Sequence, residues 1–588
     1  MILKALYDYY QARKDELPCE GKEQVEIGFI IVIDKEGNFL RFEDRRCEDK
    51  KSADKFLVSK KVGRSSAPIP NYLYDNISYT LGYAKTKGLK EKDIDKEKSK
   101  TDKCLAIFKA KVDEAYKKDN ASHAALSALK AFYDKDPRTM QELFMKDPLW
   151  GEIEKSLTKK YAFFSFRLKG EDFIMAEQPE LINLNTELDE KNNETENNNI
   201  ARCLITGQRG PIVTTTTATM IPGSQAIAKL VAFQVNMGYD SYGNSQCSNA
   251  PISKPAEFAY TTALNTMLAR NSKNKFSLVD RTFIFWSSSK SEASTEMLNQ
   301  FWNVLNGQNP SNPDENVQDV EAIFKAILSG KIPSLSDDRF YILGLAPNSA
   351  RIAVVYWVDM TLKEFAGNLL AHLEDMEIVD NFKEPRFNAG VYQMIAAVTL
   401  KRKVSDAPNN LPEAIIKSIF QRFPYPTQLY NYCIGRIRAE QHVTTERAAI
   451  LKAYLNRINN KHKLTKAMDL NNNDAGYLCG RLFAVIEKIQ VDANGIHTVR
   501  ERYLSPASAT PVVAFPTLLN LSIHHVEKLP ESRATYYEKL KQEIIGKLAG
   551  NFPVHLSNKE QGSFFVGYYQ QMQDLYTSKA DKEEKDNK

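Results

Sequence analysis

Cysteine is scarce, with 7 among 588 residues, odd in number and nowhere spaced as CxxC. That excludes a disulfide-stapled secreted fold and a CxxC-type zinc site, and predicts reduced thiols. Long apolar runs are missing too. The cleanest, from Ile27 to Ile33, falls far short of the roughly 20 residues a membrane helix needs. The opening MILKALYDYYQARK carries Asp8 inside its apolar stretch and has no small-residue cleavage site, so it does not read as a signal peptide. A soluble cytoplasmic chain with no membrane partner is expected. An excess of one charge is lacking as well. The 79 Lys and Arg exceed the 74 Asp and Glu by only +5, so a nucleic-acid partner follows only if the positive charge is clustered.

Signatures of catalysis are equally absent. The sequence contains no GxxxxGK with a following Ser or Thr, no GxGxxG after a strand, no HExxH, no GxSxG and no HD dipeptide. Of 8 histidines, only His524 and His525 are adjacent. On a helix such neighbours point about 100° apart, which favours a structural or capping role over a shared metal. The paired carboxylates Asp189 and Glu190 lie where composition offers nothing to hold their geometry. No enzyme, metal or cofactor is expected from these residues.

The length, by contrast, suggests two to four domains with substantial cores. Ile2, Leu3, Leu6 and Tyr9 or Tyr10 share a helical face. Residues 25–33 read as a β-branched strand, 34–38 as a turn and 39–42 as its return strand. Residues 85–103 hold eight lysines and five acids and read as a solvated loop or helix face. Helices follow at 101–117, 121–133 and 138–157. Residues 186–199 hold five acids and five asparagines, the composition of a mobile surface insertion. A helix near 255–270 and strands at 281–286 and 351–358 come next, and beyond about Leu362 helical periodicity takes over. The expected fold is α+β. A mixed N-terminal region with antiparallel strands and inserted helices spans 1–361, including the insertion at 186–199. A helical connecting region spans 362–467, and an all-α bundle spans 468–588.

Two loops gather polar groups where a core needs none. In the first, Lys60, Lys61, Arg64 and Ser65 precede two prolines, then Asn71, Tyr72 and Asn76. Lysine and arginine can neutralise phosphates and asparagine can pair with base edges. The alternative is a surface loop whose asparagines cap the next helix. In the second, Gln208, Arg209 and the threonines from Thr214 and Thr215 to Thr217 sit in a glycine-containing loop. A turn-rich hairpin of no special purpose has the same composition.

The chain also resembles a known family. CLITGQRGP from Cys203, YTTALN from Tyr260, LGLAPNSAR from Leu343, RIRAE from Arg436, AILKAYLN from Ala449, GRLFAVIEK from Gly480 and GYYQQ from Gly567 follow in order. They resemble the successive motifs of the large subunit of the type I-C CRISPR effector complex, Cascade. The resemblance starts at MILKALYDYY and covers nearly the whole chain. It implies a non-catalytic, RNA-guided DNA-recognition subunit that reads the protospacer-adjacent motif in duplex DNA, promotes duplex opening and R-loop formation, and helps recruit a helicase-nuclease.

The implied partners are the guide RNA complex, the backbone and RNA-processing subunits, a small subunit equivalent to the chain's own C-terminal part, and target double-stranded DNA. The resemblance makes Lys60, Lys61, Arg64, Ser65, Asn71, Tyr72 and Asn76 the first candidates for duplex contact. Gln208, Arg209, Thr214 and Thr215 become a touching or wedging loop, supported by Asn236, Tyr242 and Asn249. Arg481, Lys488, Arg500, Arg502 and Lys541 form either a track for the displaced strand or ordinary solvated helix faces. Met468 is a candidate internal start. A scaffold without DNA contact and a nuclease are the competing readings.

Overall fold

The computed structural model describes residues 2–62, 64, 68–86, 90–194, 199–235, 238, 242–269, 272–288, 290, 338–380, 390–458, 463–548 and 551–577. Two compact units are each assembled from separate stretches of chain. One holds residues 13–215 and 234–262; the other holds residues 1–12, 216–233 and 263–588. The boundaries expected near 361 and 467 both fall inside the second unit. The α+β class with a helical C-terminal region is as the sequence predicts.

In the first unit, residues 25–33 do not make one strand. They split at Gly28 into β1 (Lys22–Glu26) and β2 (Phe29–Ile33). The Gly28 N–H donates to the Tyr161 carbonyl at 2.9 Å, and a Cβ at position 28 would lie 2.8 Å from that oxygen. The close approach admits only glycine and turns the chain away from the ladder. Asp34 builds the expected turn by accepting from the backbone of Glu36 and Asn38, and leads into β3 (Phe39–Asp44). β1 pairs with β4 (Lys55–Ser59) in a separate ribbon.

A four-stranded sheet runs in the order β3-β2-β6-β5, with β5 at Tyr74–Asn76 and β6 at Phe163–Leu168. Every residue of β2 is buried, and β2 lies parallel to β6. Covered on both faces, it reads as an unbroken apolar run. Phe29 and Phe164 stack at 5.2 Å, and Phe132 meets Phe166 edge-on at 5.4 Å.

Helices cover this sheet. Glu91–Lys118 starts ten residues before the predicted 101, because the lysine-acid stretch consists of good helix formers. Acids in its first turn and lysines in its last suit the helix dipole. The predicted helix at 138–157 is two, Pro137–Lys146 and Trp150–Ser156, separated at Pro148. Residues 186–194, expected as irregular chain, continue the helix Pro179–Glu194. Leu181, Ile182 and Leu188 bury its apolar side and supply what composition alone conceals. Residues 195–198 lie outside the described residues.

The second unit holds the antiparallel sheet β12-β11-β10-β9, built from β9 (Lys275–Leu278), β10 (Arg281–Ser287), β11 (Arg339–Asn348) and β12 (Arg351–Thr361). Thr361 ends the last strand and caps the helix Leu362–Met376 in a capping box with Glu364. The switch from strand to helix expected near Leu362 therefore has a local cause. One continuous hydrophobic core then runs from Phe276 of β9 to Met572. At its centre, the helices Ala475–Asn494 and Asn558–Tyr576 touch backbone to backbone. A Cβ on Gly480 would lie 2.0 Å from the Phe564 carbonyl oxygen, and one on Gly567 would lie 2.4 Å from that of Tyr477.

Candidate nucleic-acid interface

The segment from Lys60 to Asn76 is organised by a carboxylate that the sequence reading did not single out. Asp75 is fully buried at the middle of β5. Its Oδ2 accepts the Asn71 N–H at 2.8 Å and pairs with the Arg64 guanidinium; its Oδ1 accepts the Asn76 N–H at 2.8 Å. Burial pushes the carboxyl up, and the hydrogen bond from Arg64 opposes that shift. Arg64 also donates through Nε to the Ile69 carbonyl at 2.6 Å and lies 4.2 Å over the Tyr79 ring. The segment is thus folded back on its own buried acid.

This arrangement separates the seven residues proposed from sequence. Asn71 is buried, and its Oδ1 accepts the Val62 N–H at 2.9 Å. Tyr72 is buried in the hydrophobic core. Asn76 accepts from Ser78 N and caps the short helix Ile77–Thr80, as the alternative reading of this loop has it. Ser65 lies outside the described residues. Lys61 is exposed, while Lys60 and Arg64 are half-buried. The Lys60 ammonium lies 5.5 Å over Phe258 and that of Lys61 lies 5.0 Å over Phe163. Their backbones are pinned to Gly21 O and to the Glu23 carboxylate.

The second loop is a hairpin of β7 (Ile200–Arg202) and β8 (Arg209–Pro211). Gly207, with φ of +72°, turns its tip, and Gln208 and Arg209 are exposed there. Thr214 and Thr215 are exposed as well. Asn249 donates to Gln246 O and so holds its own short turn. Tyr242, expected to hold the loop in place, is fully exposed at a φ of +52°, and a side chain in open solvent buttresses nothing. Asn236 lies outside the described residues.

The expected displaced-strand track needs correction. Arg481 is fully buried, with Nε donating to Gln571 Oε1 at 2.9 Å, and Lys541 is buried against Ser522 and Glu538. Neither presents charge at a surface. Lys488 pairs with Asp492, and Arg500 lies 3.4 Å from Glu487. Arg502 alone of the five is exposed. His525 Nδ1 lies 3.0 Å from the Asn494 amide, and His524 approaches Glu527 at 3.8 Å.

Among the described residues, no three His, Cys, Asp or Glu gather closely enough to hold a metal ion. No described helix is long and apolar enough to cross a membrane. Comparison with protein families gives a match to the model described as CRISPR-associated protein (Cas_Csd1) over residues 6–576. The chain belongs to the Csd1 family. Membership makes it a CRISPR-associated Cascade subunit and bears out the resemblance carried by its ordered motifs. No curated protein matches the chain.

Two features of this Csd1 chain escape sequence reading. Asp75 looks like any loop acid, and only its burial marks it as a hub. Arg202 carries no motif of its own, and its meaning comes from the residue it faces across the hairpin.

Proposed function

We propose that this chain is the non-catalytic subunit of an RNA-guided surveillance complex that recognises the protospacer-adjacent motif in duplex DNA. It promotes duplex opening and R-loop formation and helps recruit the helicase-nuclease. The reading is supported by family membership and, in the chain itself, by one observation above the others. Lys60, Lys61 and Arg64 cluster within five residues on a segment pinned to β1 and to buried Asp75. Pre-ordered cations lose little entropy on meeting phosphates. In this reading Lys60 and Lys61 position the duplex backbone, while Asn71, Tyr72 and Asn76 shape the segment from within.

Gln208, Arg209, Thr214 and Thr215 form the second contact. Exposed Arg502, with the ion-paired Lys488 and Arg500, is what is left of a displaced-strand track. The guide RNA complex, the backbone and RNA-processing subunits and a small subunit resembling residues 468–588 are the partners, in the cytoplasm, with Met468 as an internal start.

The test is binding of the assembled complex to a DNA library randomised beside the target. Enrichment of one short motif, and duplex binding weakened alike with and without that motif in Lys60→Ala/Lys61→Ala, is expected. Assembly without any DNA retention leaves a scaffold, and metal-dependent cleavage by the isolated chain makes it a nuclease.

A further inference from the structure

The hairpin of β7 and β8 sets two arginines against each other. Arg202 ends one strand, Arg209 opens the other, and the antiparallel register pairs them directly. Directly opposed residues project from the same face with Cβ atoms about 5 Å apart. Both are exposed. Neither side chain has a hydrogen bond or an ion-pair partner among the described residues. Like charges in this position destabilise a strand pair, and a ribbon of three residues per strand has little pairing of its own to offset them.

The ribbon is held all the same. Leu204 N–H donates to Pro251 O at 2.9 Å, Val213 N–H to Ile252 O at 3.0 Å and Ser253 N–H to Cys203 Sγ at 3.3 Å. Across the tip, Gly207 N–H donates to Cys203 O at 2.9 Å and Cys203 N–H to Gln208 O at 2.8 Å. Two guanidiniums with no partner among the described residues are therefore fixed side by side on an anchored support. A single anion between them converts their repulsion into two attractions.

We infer that Arg202 and Arg209 form a clamp for one phosphodiester group of duplex DNA, each guanidinium donating to one of its two non-bridging oxygens. The inference rests on the reading that this chain contacts DNA. It deepens that reading by adding Arg202 and by giving Arg209 a backbone-anchoring role in place of base readout.

Salt dependence of duplex binding by the full-length chain tests it, with Arg202→Gln, Arg209→Gln, the double variant and, as a control of equal charge loss, Lys159→Gln. One phosphate contact contributes about 0.9 to the slope of log affinity against log salt. Each single variant and the double should flatten the slope by that same amount. Going from about 50 to 200 mM salt then costs each of them about 3.5-fold less affinity than wild type.

A double variant that loses twice the slope of either single means two separate phosphates and overturns the clamp. Unchanged slopes in both singles, or an equal change in Lys159→Gln, overturn it and leave DNA binding by other residues standing. A slope change seen only with single-stranded RNA also overturns it. A wild-type chain that binds no duplex removes the clamp and the DNA reading together.

Discussion

Arg64 and Asp75 form an ion pair that ties the start of the basic segment to its buried end. The carboxylate is fully buried, whereas the arginine side chain remains 27% exposed. Asp75→Asn keeps the shape and removes the counter-charge. The expected loss is about 2–3 kcal/mol of unfolding free energy, below that of a fully buried pair because Arg64 can turn to water. Urea unfolding of the full chain measures it, and an unchanged midpoint would mean that the pair contributes nothing.

Asn71→Ala leaves the Val62 N–H without its acceptor, at a cost of about 1–2 kcal/mol. Because the amide faces inward, binding to DNA with and without the motif should change alike once folded fractions are equalised. Lys61→Ala, at an exposed position, should leave stability within about 0.5 kcal/mol of wild type. A folded Asn71→Ala protein that loses only motif-bearing DNA would assign its amide to a base edge.

Arg481 sits in the core with two guanidinium nitrogens that lack a hydrogen-bond partner among the described residues. Burial pulls its pKa down, which signals the desolvation that folding imposes on it. Arg481→Met, similar in length and apolar, should be neutral or stabilising by about 1–2 kcal/mol. It should also leave R-loop formation intact. A strongly destabilised variant would indicate that buried water or a carboxylate completes the arginine's hydrogen bonds.

Glu364 accepts the Thr361 N–H at 2.9 Å, and this bond together with the Thr361 hydroxyl holds its carboxyl below the ordinary 4.5. A depressed carboxyl stabilises the fold fully above its unfolded value and loses that contribution as pH falls through the folded one. Glu364→Gln should therefore differ from wild type most at neutral pH. The two should converge below about pH 4.5 in chemical unfolding followed across pH. A constant difference at every pH would exclude the ionised carboxylate as its source.

The parts legible in the sequence are those with local causes. The turn at 34–38 follows from Asp34 and its neighbours, and strands 281–286 and 351–358 announce themselves as short aromatic and β-branched runs. What escaped is non-local. Gly28 breaks a strand because of Tyr161, and the asparagines of the basic segment turn inward because Asp75 and Val62 offer them partners. Arg481 looked like surface charge because its partner, Gln571, is 90 residues away. The residues at 186–194 looked irregular because the apolar positions that bury their helix lie mostly before them.

The order of synthesis acquires a meaning from how the two units share the chain. Residues 1–12 are made before residues 13–215, yet belong to the unit whose largest part, residues 263–588, is made after both stretches of the other unit, 13–215 and 234–262. Residues 1–12 are therefore made well before most of the unit they belong to exists. No single cut yields both units whole, so separating them requires a rejoined chain in which residue 215 is spliced to residue 234.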